Sequence, residues 1–292
     1  MNQLTILDGG MGGELQRRGI GASDGLWSAK ALIEHPELVA DVHNDYILAG
    51  ASVIITNSYS TIPSYLGKEH MEDRTAELTA TAGRIAREVA DSAEPAVLVA
   101  GSIPPLDESY RYDLVPPNAQ AEAIYRVLAE SLEPFVDLYV CETMSCVREA
   151  RNAVGAVRTV VGASKPIWVS WTLDEDIGAG LRSGESVEAA YAAVSEFEPD
   201  AFLFNCTDPH AITAALGVLA TLTEKPIGAY PNRFHVPKGW TLGNELKNEW
   251  HEMTEAEFVE FAKEWQAIGA SIVGGCCGIG PTFIAALAAN QI

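Results

Sequence analysis

One short unit of this chain decides the fold that its sequence predicts. It is the stretch Ala201-Phe202-Leu203-Phe204-Asn205-Cys206-Thr207, an apolar run with polar residues at its end, followed by a helical pattern over Pro209–Leu222. A run that is apolar on both faces suits a buried strand of a parallel sheet, whose next strand is usually reached through a helix. The unit therefore predicts a β-strand, a loop and an α-helix, in that order.

The same unit recurs along the whole chain. Apolar, β-branched runs predict eight strands, at Leu4–Leu7, Ser52–Thr56, Ala96–Ala100, Val136–Cys141, Pro166–Ser170, Ala201–Phe204, Pro226–Ala229 and Ser271–Val273. Helical patterns follow them, at Pro36–Ala49, Glu69–Ser92, Ala121–Leu132, Val147–Val160, Ser186–Phe197, Pro209–Leu222, Thr254–Ile268 and Pro281–Ala289. Eight such repeats predict an α/β fold, a (β/α)8 TIM barrel forming a single domain over residues 1–292. A doubly wound open sheet is the competing interpretation, and eight repeats in 292 residues favour closure.

Three connections are longer than a barrel requires. They follow the first, third and seventh strands, over Gly9–His35, Gly101–Pro117 and Tyr230–Met253. Each would lie on the C-terminal face, where barrel active sites are found. Long loops in a compact domain are usually functional or mobile, so all three are expected near the site.

Composition narrows the class of function. The net charge is -21, from 40 acidic and 19 basic residues, which argues against a nucleic-acid partner. No apolar stretch is long enough to predict a membrane span, and the N-terminus does not resemble a signal peptide. Five cysteines without a secretion signal fit a reducing compartment, so a cytoplasmic location is expected. The oligomeric state is left open.

Chemically active residues cluster where the predicted strands end. In a barrel these ends meet at one mouth, although they are far apart in sequence. The residues in question are Asp8-Gly9-Gly10-Met11, Thr56-Asn57-Ser58-Tyr59, Cys141-Glu142-Thr143, Asn205-Cys206-Thr207 and Gly274-Gly275-Cys276-Cys277.

The cysteines of this set predict a metal site. Cys276 and Cys277 are adjacent on a glycine-rich turn, and neighbouring cysteines reach disulfide geometry only with strain. Thiolates select zinc or a similar soft ion. Cys206 would enter the same mouth, giving three ligands and the open fourth position typical of catalytic zinc. A vicinal redox dithiol is the alternative, while Cys141 and Cys146 are interpreted as buried packing residues.

The glycines after Asp8 have two interpretations. They form a tight turn, and they leave backbone N–H groups free to bind a carboxylate. The run lacks the lysine and hydroxyl residue of a P-loop, which excludes that kind of nucleotide site. Asp8 and Glu142 could equally be helix caps or ion-pair partners.

Taken together, these motifs make the chain resemble the homocysteine S-methyltransferase family over nearly its whole length. The resemblance rests on Leu7-Asp8-Gly9-Gly10-Met11, Thr56-Asn57-Ser58-Tyr59, Glu142-Thr143, Asn205-Cys206-Thr207 and Gly274-Gly275-Cys276-Cys277-Gly278. It implies a zinc-dependent enzyme, with Zn²⁺ held by Cys206, Cys276 and Cys277.

The same resemblance implies roles for other residues. Asp8 and Glu142 would hold the amino group of homocysteine, and Gly9-Gly10 its carboxylate. Asn205 is placed among the substrate-binding residues, and Tyr59 matches a tyrosine that approaches the metal when the thiol site is empty.

The implied reaction moves a methyl group from a positively charged donor to the homocysteine thiol, giving methionine. A sulfonium donor is expected, S-methylmethionine first or S-adenosylmethionine, with betaine or another onium compound as the alternative. Aromatic residues such as Trp171, Tyr110 and Tyr112 could contact such a cation, and Trp171 is the predicted donor-site residue. A non-catalytic zinc and homocysteine-binding protein is the rival hypothesis.

Overall fold

The computed structural model describes residues 4–20, 26–178, 180–241, 249–250 and 253–290, with backbone alone at 249–250. Parts of the predicted connections Gly9–His35 and Tyr230–Met253 therefore lie outside the described residues. The eight barrel strands are, in chain order, Thr5–Ile6, Val53–Ile55, Leu98–Ile103, Leu138–Met144, Ile167–Trp171, Ala201–Asn205, Ile227–Tyr230 and Ala270–Val273. They are called the first to eighth strands below.

All eight strands belong to one parallel sheet. Each pairs with its sequence neighbours, and the eighth strand pairs with the first through Thr5↔Ile272 and Ile6↔Val273. A single parallel bridge, Leu7↔Val53, joins the first strand to the second. The circle is therefore nearly closed, and the predicted single-domain TIM barrel is confirmed. The predicted boundaries, residues 1–292, stay a prediction.

Helices surround this sheet. The α-helices are Met11–Arg17, Ala29–Glu34, Pro36–Leu48, Pro63–Leu66, Thr75–Asp91, Asn118–Leu132, Val147–Val161, Val187–Val194, Pro209–Leu219, Glu255–Ile268 and Pro281–Ala289. Short 3-10 turns lie at Gly67–Glu69, Glu72–Arg74, Tyr112–Leu114, Glu133–Phe135 and Ser195–Phe197. A separate antiparallel pair, Phe234–His235 with Glu249–Trp250, stands in the connection after the seventh strand. Among the described helices, none is long and apolar enough to cross a membrane.

The alternation of side chains along each strand decides what enters the barrel. Leu138 and Val140 of the fourth strand pack in the interior cluster, whereas Tyr139 and Cys141 pack in the layer under the helices. Successive side chains point to opposite faces, so the next inward position after Val140 is Glu142. This places one carboxylate at the C-terminal mouth of the barrel.

The connection predicted over Gly9–His35 contains two helices, Met11–Arg17 and Ala29–Glu34. Two local predictions were wrong. The helix predicted from Glu69 begins at Thr75. His70 adopts a left-handed conformation, with φ 56°, and therefore interrupts the helical backbone before that point. The fourth strand continues to Met144, because the fifth strand supplies a partner for its polar end, with Met144 paired to Trp171.

Candidate functional site

A cavity of about 320 Å³ opens at the C-terminal mouth of the barrel. The lining residues that follow or end strands are named here the strand-end floor: Asp8, Glu142, Cys206, Cys276 and Cys277. Five of the aromatic residues that line the cavity are named the aromatic wall: Trp27, Tyr59, Tyr110, Phe234 and Trp240. A larger cleft, of about 1050 Å³, lies between the helices Pro209–Leu219 and Glu255–Ile268 and contains no residue of the floor.

The structure brings the three predicted cysteines together. The Sγ atoms of Cys206, Cys276 and Cys277 all lie within 4.8 Å of one another. Cys206 and Cys276 are joined here as a disulfide, although they are 70 residues apart in sequence. This disulfide departs from the expectation of free thiols. It joins Cys276 to Cys206, whereas the redox-dithiol hypothesis requires a bond between Cys276 and Cys277. Cys277 stays a free thiol.

Close backbone packing explains why glycines precede the cysteine pair. A Cβ at Gly274 would collide with Leu7, and a Cβ at Gly275 would collide with the side chain of Ile279. The loop is thereby pressed against the end of the first strand, where the Gly275 amide donates to the Asp8 carbonyl at 2.9 Å. Because neither glycine has a side chain, the loop can approach the first strand closely enough for Cys276 and Cys277 to lie at the mouth of the barrel.

The sulfur cluster fits a soft metal ion. Zinc–thiolate bonds of about 2.3 Å in a tetrahedral site imply sulfur–sulfur separations of about 3.8 Å, which the observed spread can accommodate. Burial, followed by the charge of Glu142, raises the pKa of the Cys277 thiol to about 12. Without a cation beside it the thiol therefore stays protonated, and a metal would supply the charge that a thiolate needs. The two paired cysteines can act as thiolate ligands in their reduced form.

Two buried carboxyl groups share the floor. Asp8 is 3% exposed and accepts a hydrogen bond from the Ile55 amide at 2.8 Å, while Glu142 accepts one from the Ser102 hydroxyl at 2.5 Å. Burial raises the pKa of Asp8 well above its ordinary value, and the nearby Glu142 raises it further. Burial likewise raises the pKa of Glu142 to about 7. Such a pair favours a positively charged group between its members, because a cation relieves both desolvation and repulsion.

Asn205 lies beneath the cavity and does not line it. Its Oδ1 accepts hydrogen bonds from the Thr143 amide at 2.8 Å and the Ser170 hydroxyl at 2.7 Å, and its Nδ2 donates to the Thr143 hydroxyl at 2.8 Å. Thr143 has φ 58°, a left-handed conformation that is strained for a β-branched residue. Asn205 was predicted to contact the substrate. In the structure its amide group instead binds the backbone and hydroxyl of Thr143, the residue after Glu142.

The glycines after Asp8 allow this turn to pack closely against the segment Cys276–Ile279. A Cβ at Gly10 would lie 2.8 Å from the carbonyl oxygen of Cys276, and a Cβ at Gly9 would collide with the Ile279 carbonyl. The helix Met11–Arg17 then begins at once, and its first residues line the cavity. The Gly10 amide already donates to the Ile279 carbonyl at 3.0 Å, so the predicted free donors of this turn do not include it. The first amides of the helix have no acceptor within it and can bind an anion.

The aromatic wall combines residues from separate loops. Trp27 packs edge-on against Tyr59 with ring centroids 5.8 Å apart, and Tyr110 packs against Trp240 at the same separation. The Tyr59 hydroxyl is hydrogen-bonded to the Ser109 hydroxyl at 2.8 Å. All three predicted long connections therefore contribute to the cavity, through Trp27, Tyr110 and Trp240.

The predicted donor-site role of Trp171 does not fit its position. Trp171 is fully buried under the helices and stacks on Phe202, with ring centroids 6.1 Å apart. The alternation along the fifth strand turns Trp168 and Ser170 inward and Trp171 outward. Tyr112 is also absent from the cavity lining. Of the aromatic residues suggested by the sequence, Tyr110 is the one that reaches the cavity.

Sequence reasoning missed two residues that bind Glu142 and three of the aromatic wall. Ser102 and Tyr230 both donate to the Glu142 carboxylate, Tyr230 at 3.4 Å. Trp27, Phe234 and Trp240 complete the aromatic wall. The sequence contained a signal for Ser102, since a serine within the apolar third strand indicates a polar partner at that position. The two tryptophans lie in long connections without a regular pattern, so only the packed structure identifies them.

Comparison with known proteins agrees with this geometry. The family model described as homocysteine S-methyltransferase matches residues 5–290. The homocysteine S-methyltransferase of Escherichia coli is 33% identical over 308 residues, covering 99% of this chain and 95% of that protein. A selenocysteine methyltransferase of Astragalus bisulcatus is 30% identical and covers 97% of this chain and 90% of its own length.

Solved structures extend the match to the fold. The Escherichia coli homocysteine methyltransferase MmuM in its metallated form superposes with a TM-score of 0.82, at 31% identity, over 99% of this chain and 96% of that one. Its oxidised form gives the same TM-score, identity and coverage. That protein has thus been observed both with metal and in an oxidised state.

Proposed function

Because the chain belongs to the homocysteine S-methyltransferase family, we propose that it is a zinc-dependent enzyme transferring a methyl group from a sulfonium donor to homocysteine, with methionine as product. The observation that carries the proposal is the meeting of three cysteine sulfurs with two buried carboxyl groups in one cavity. The sulfurs suit a thiol-binding metal, and the carboxyls suit the ammonium group of an amino acid.

Zn²⁺ would be held by Cys206, Cys276 and Cys277 in their reduced form. When bound, it would supply a substrate thiolate at neutral pH, where a free thiol with a pKa of about 8.5 is mostly protonated. Tyr59 would be a ligand only if its hydroxyl left Ser109, to which it is hydrogen-bonded.

The chain's own residues would bind and orient homocysteine. Asp8 and Glu142 would accept hydrogen bonds from its ammonium group, whose positive charge offsets the cost of two buried carboxylates. The carboxylate of homocysteine would lie at the Gly9-Gly10 turn and bind the Gly9 amide and the first amides of the helix Met11–Arg17, since the Gly10 amide already donates to the Ile279 carbonyl. The amino acid would then lie across the floor with its sulfur at the cysteines.

Methyl transfer from a sulfonium balances without any further reactant. The acceptor thiol releases its proton to solvent, and its sulfur attacks the methyl carbon in line. The donor's carbon–sulfur bond breaks, and its electron pair stays on the donor sulfur, which leaves as a neutral thioether. With S-methylmethionine, the first-choice donor, both products are methionine. The aromatic wall supports a positively charged donor, because aromatic faces attract a cation within about 6 Å of the ring centroid.

A donor screen tests the function. The reduced protein is loaded with Zn²⁺, and homocysteine is offered with S-methylmethionine, S-adenosylmethionine or betaine, with and without a chelator. Methionine formation that the chelator stops is the expected result. Full activity in metal-free protein would overturn the role of zinc, whereas tight homocysteine binding with no turnover from any onium donor would favour the non-catalytic binding protein.

Acceptor range is a second arm of the same screen. The similar protein of Astragalus bisulcatus is a selenocysteine methyltransferase. A selenol is more acidic and more polarisable than a thiol, so the sulfur site would accept it. We therefore propose that selenohomocysteine is also methylated, with cytoplasmic methionine formation as the main reaction.

A further inference from the structure

A buried ion pair lies outside the cavity, in the connection after the fifth strand. Nη2 of Arg182 is 2.7 Å from Oε1 of Glu175, and their side chains are 4% and 5% exposed. Neither residue lines the cavity. Burying two charges is unfavourable unless their geometry and further hydrogen bonds compensate, so the remaining partners of this pair are informative.

Most of these partners belong to the connection after the seventh strand, where Nδ1 of His235 also lies 3.6 Å from Oε2 of Glu175. The Val236 amide donates to Oε1 of Glu175 at 3.1 Å, and Nη1 of Arg182 donates to the Val236 carbonyl at 3.0 Å. Both backbone polar groups of one residue are thus bound by the pair. The Asp208 amide, after the sixth strand, donates to Oε2 of Glu175 at 3.2 Å. Three connections of the barrel are therefore joined at one point.

The pair also reaches the aromatic wall. The Arg182 guanidinium carbon lies 4.9 Å from the ring centroid of Tyr110, which packs edge-on against Trp240. Phe234 and Trp240 stand on either side of Val236 in sequence, and both line the cavity. The position of the wall on this side consequently depends on the pair. The Glu175 carboxylate also offsets the guanidinium charge, which would otherwise repel a cation on the other side of Tyr110.

We propose that Arg182 and Glu175 are positioning residues that set Tyr110 and Trp240 for the cationic methyl donor. The inference rests on the proposed function for the identity of the donor. The arrangement predicts an effect on the donor that homocysteine does not share, because homocysteine is bound at the strand-end floor.

The chain offers a matched control. Lys238 and Asp174 form a second ion pair between the same two connections, with Nζ and Oδ2 3.0 Å apart, but the Lys238 side chain is 74% exposed. Solvent screens such a pair, so its removal changes little. Lys238→Met therefore removes a charge pair at the same place without disturbing Tyr110 or Val236.

The kinetic test compares Arg182→Lys, Glu175→Gln and Lys238→Met as zinc-loaded enzymes. Arg182→Lys keeps the charge but loses the planar fork that binds Glu175 and Val236 and stacks on Tyr110. Its kcat/KM for the donor is expected to fall about tenfold, with metal content unchanged and homocysteine affinity within about twofold. Glu175→Gln should lower kcat/KM further, because it leaves the buried guanidinium charge without a compensating carboxylate. Equal losses for donor and homocysteine, or equal values in Arg182→Lys and Lys238→Met, would overturn the proposal.

Hydrogen exchange gives a readout that needs no turnover. The amides of Val236 and Asp208 donate to different oxygens of Glu175, and glutamine keeps only one acceptor oxygen, so at least one of the two amides should exchange faster in Glu175→Gln than in Lys238→Met. Unchanged exchange in Glu175→Gln rejects the positioning role even if the enzyme is active. Faster exchange in a protein that uses no donor shows that the pair holds these connections in place, and it rejects the proposed function instead.

Discussion

The strand-end floor and the aromatic wall face the same cavity but are built differently. The floor consists of residues at strand ends, fixed by the hydrogen bonds of the barrel itself. The wall consists of side chains on long connections, held by packing and by the buried pair of Arg182 and Glu175. The floor carries sulfur and carboxylate groups, and the wall carries aromatic rings. This difference suggests that the floor determines the chemistry and the acceptor, while the wall determines the donor.

The largest effect is expected at the sulfur cluster. Cys206→Ser should lose the metal and lower kcat/KM by more than about a hundredfold, beyond the 10–100-fold that loss of an outer-shell partner costs. The matched control is Cys146→Ser, since Cys146 is buried outside the cluster. Metal analysis and methionine formation measure both variants. Retention of zinc and activity in Cys206→Ser would contradict the proposed role of Cys206 as a zinc ligand in the strand-end floor.

The next largest effect is expected at Glu142. Glu142→Gln should weaken homocysteine binding by about thirtyfold or more, because a buried hydrogen-bonded charge pair is broken. Its control is Glu149→Gln. Burial also raises the pKa of Glu149 to about 7, yet Glu149 binds the amide and hydroxyl of Ser145 outside the cavity. Calorimetry should show a large change in homocysteine affinity for the first variant and little for the second.

The pH dependence of that affinity sharpens the same comparison. In the empty site Glu142 has a pKa of about 7, raised by burial, so it is protonated below that pH. The substrate ammonium favours the carboxylate, so this contribution to binding is complete above pH 7 and is lost as the pH falls below it. Glu142→Gln should remove this part of the pH profile. A profile identical to that of the unmodified protein would exclude the predicted contact.

A smaller effect is expected from the glycine that admits the cysteine pair. Gly275→Ala forces a Cβ into the Ile279 side chain and should destabilise the fold by about 1–3 kcal/mol, as overpacking of a buried position does. Gly217→Ala is the control, because no atom lies within 4 Å of a Cβ at that helical position. Thermal unfolding should show a lower Tm for the first variant and an unchanged or higher one for the second.

The smallest effects separate the wall from the layer under the helices. Trp240→Leu should raise the donor KM by about 3–30-fold, the range of a partly buried cation–π contact, with homocysteine affinity unchanged. Trp171→Phe should leave the donor KM unchanged, since Trp171 is outside the cavity and its indole N–H has no hydrogen-bond partner to lose. A donor effect of Trp171→Phe equal to that of Trp240→Leu would break the distinction.

Much of the floor could be predicted because its residues lie next to strands. A strand is visible as an apolar run, and the residue after it must enter the mouth of the barrel. Cys206 and Cys276 are 70 positions apart, but the barrel topology already places both at the same mouth, with only the seventh strand between their strands. The Asn205 prediction shows the limit of this reasoning. Whether an amide faces the cavity or the strained Thr143 beside it depends on hydrogen bonds between strands that no local pattern contains.

The sequence by itself determined the barrel, the strand ends and the identity of the sulfur and carboxylate groups. Those properties follow from local patterns and from the fixed direction of parallel strands. The tertiary structure alone decided which aromatic residues meet the cavity and how they are held. Trp171 is turned away by a single step in strand alternation, while Trp27, Tyr110 and Trp240 converge from connections far apart in the chain. Loop contacts such as that of Arg182 with Val236 depend on three-dimensional packing, because they join segments whose separation in sequence carries no geometric information.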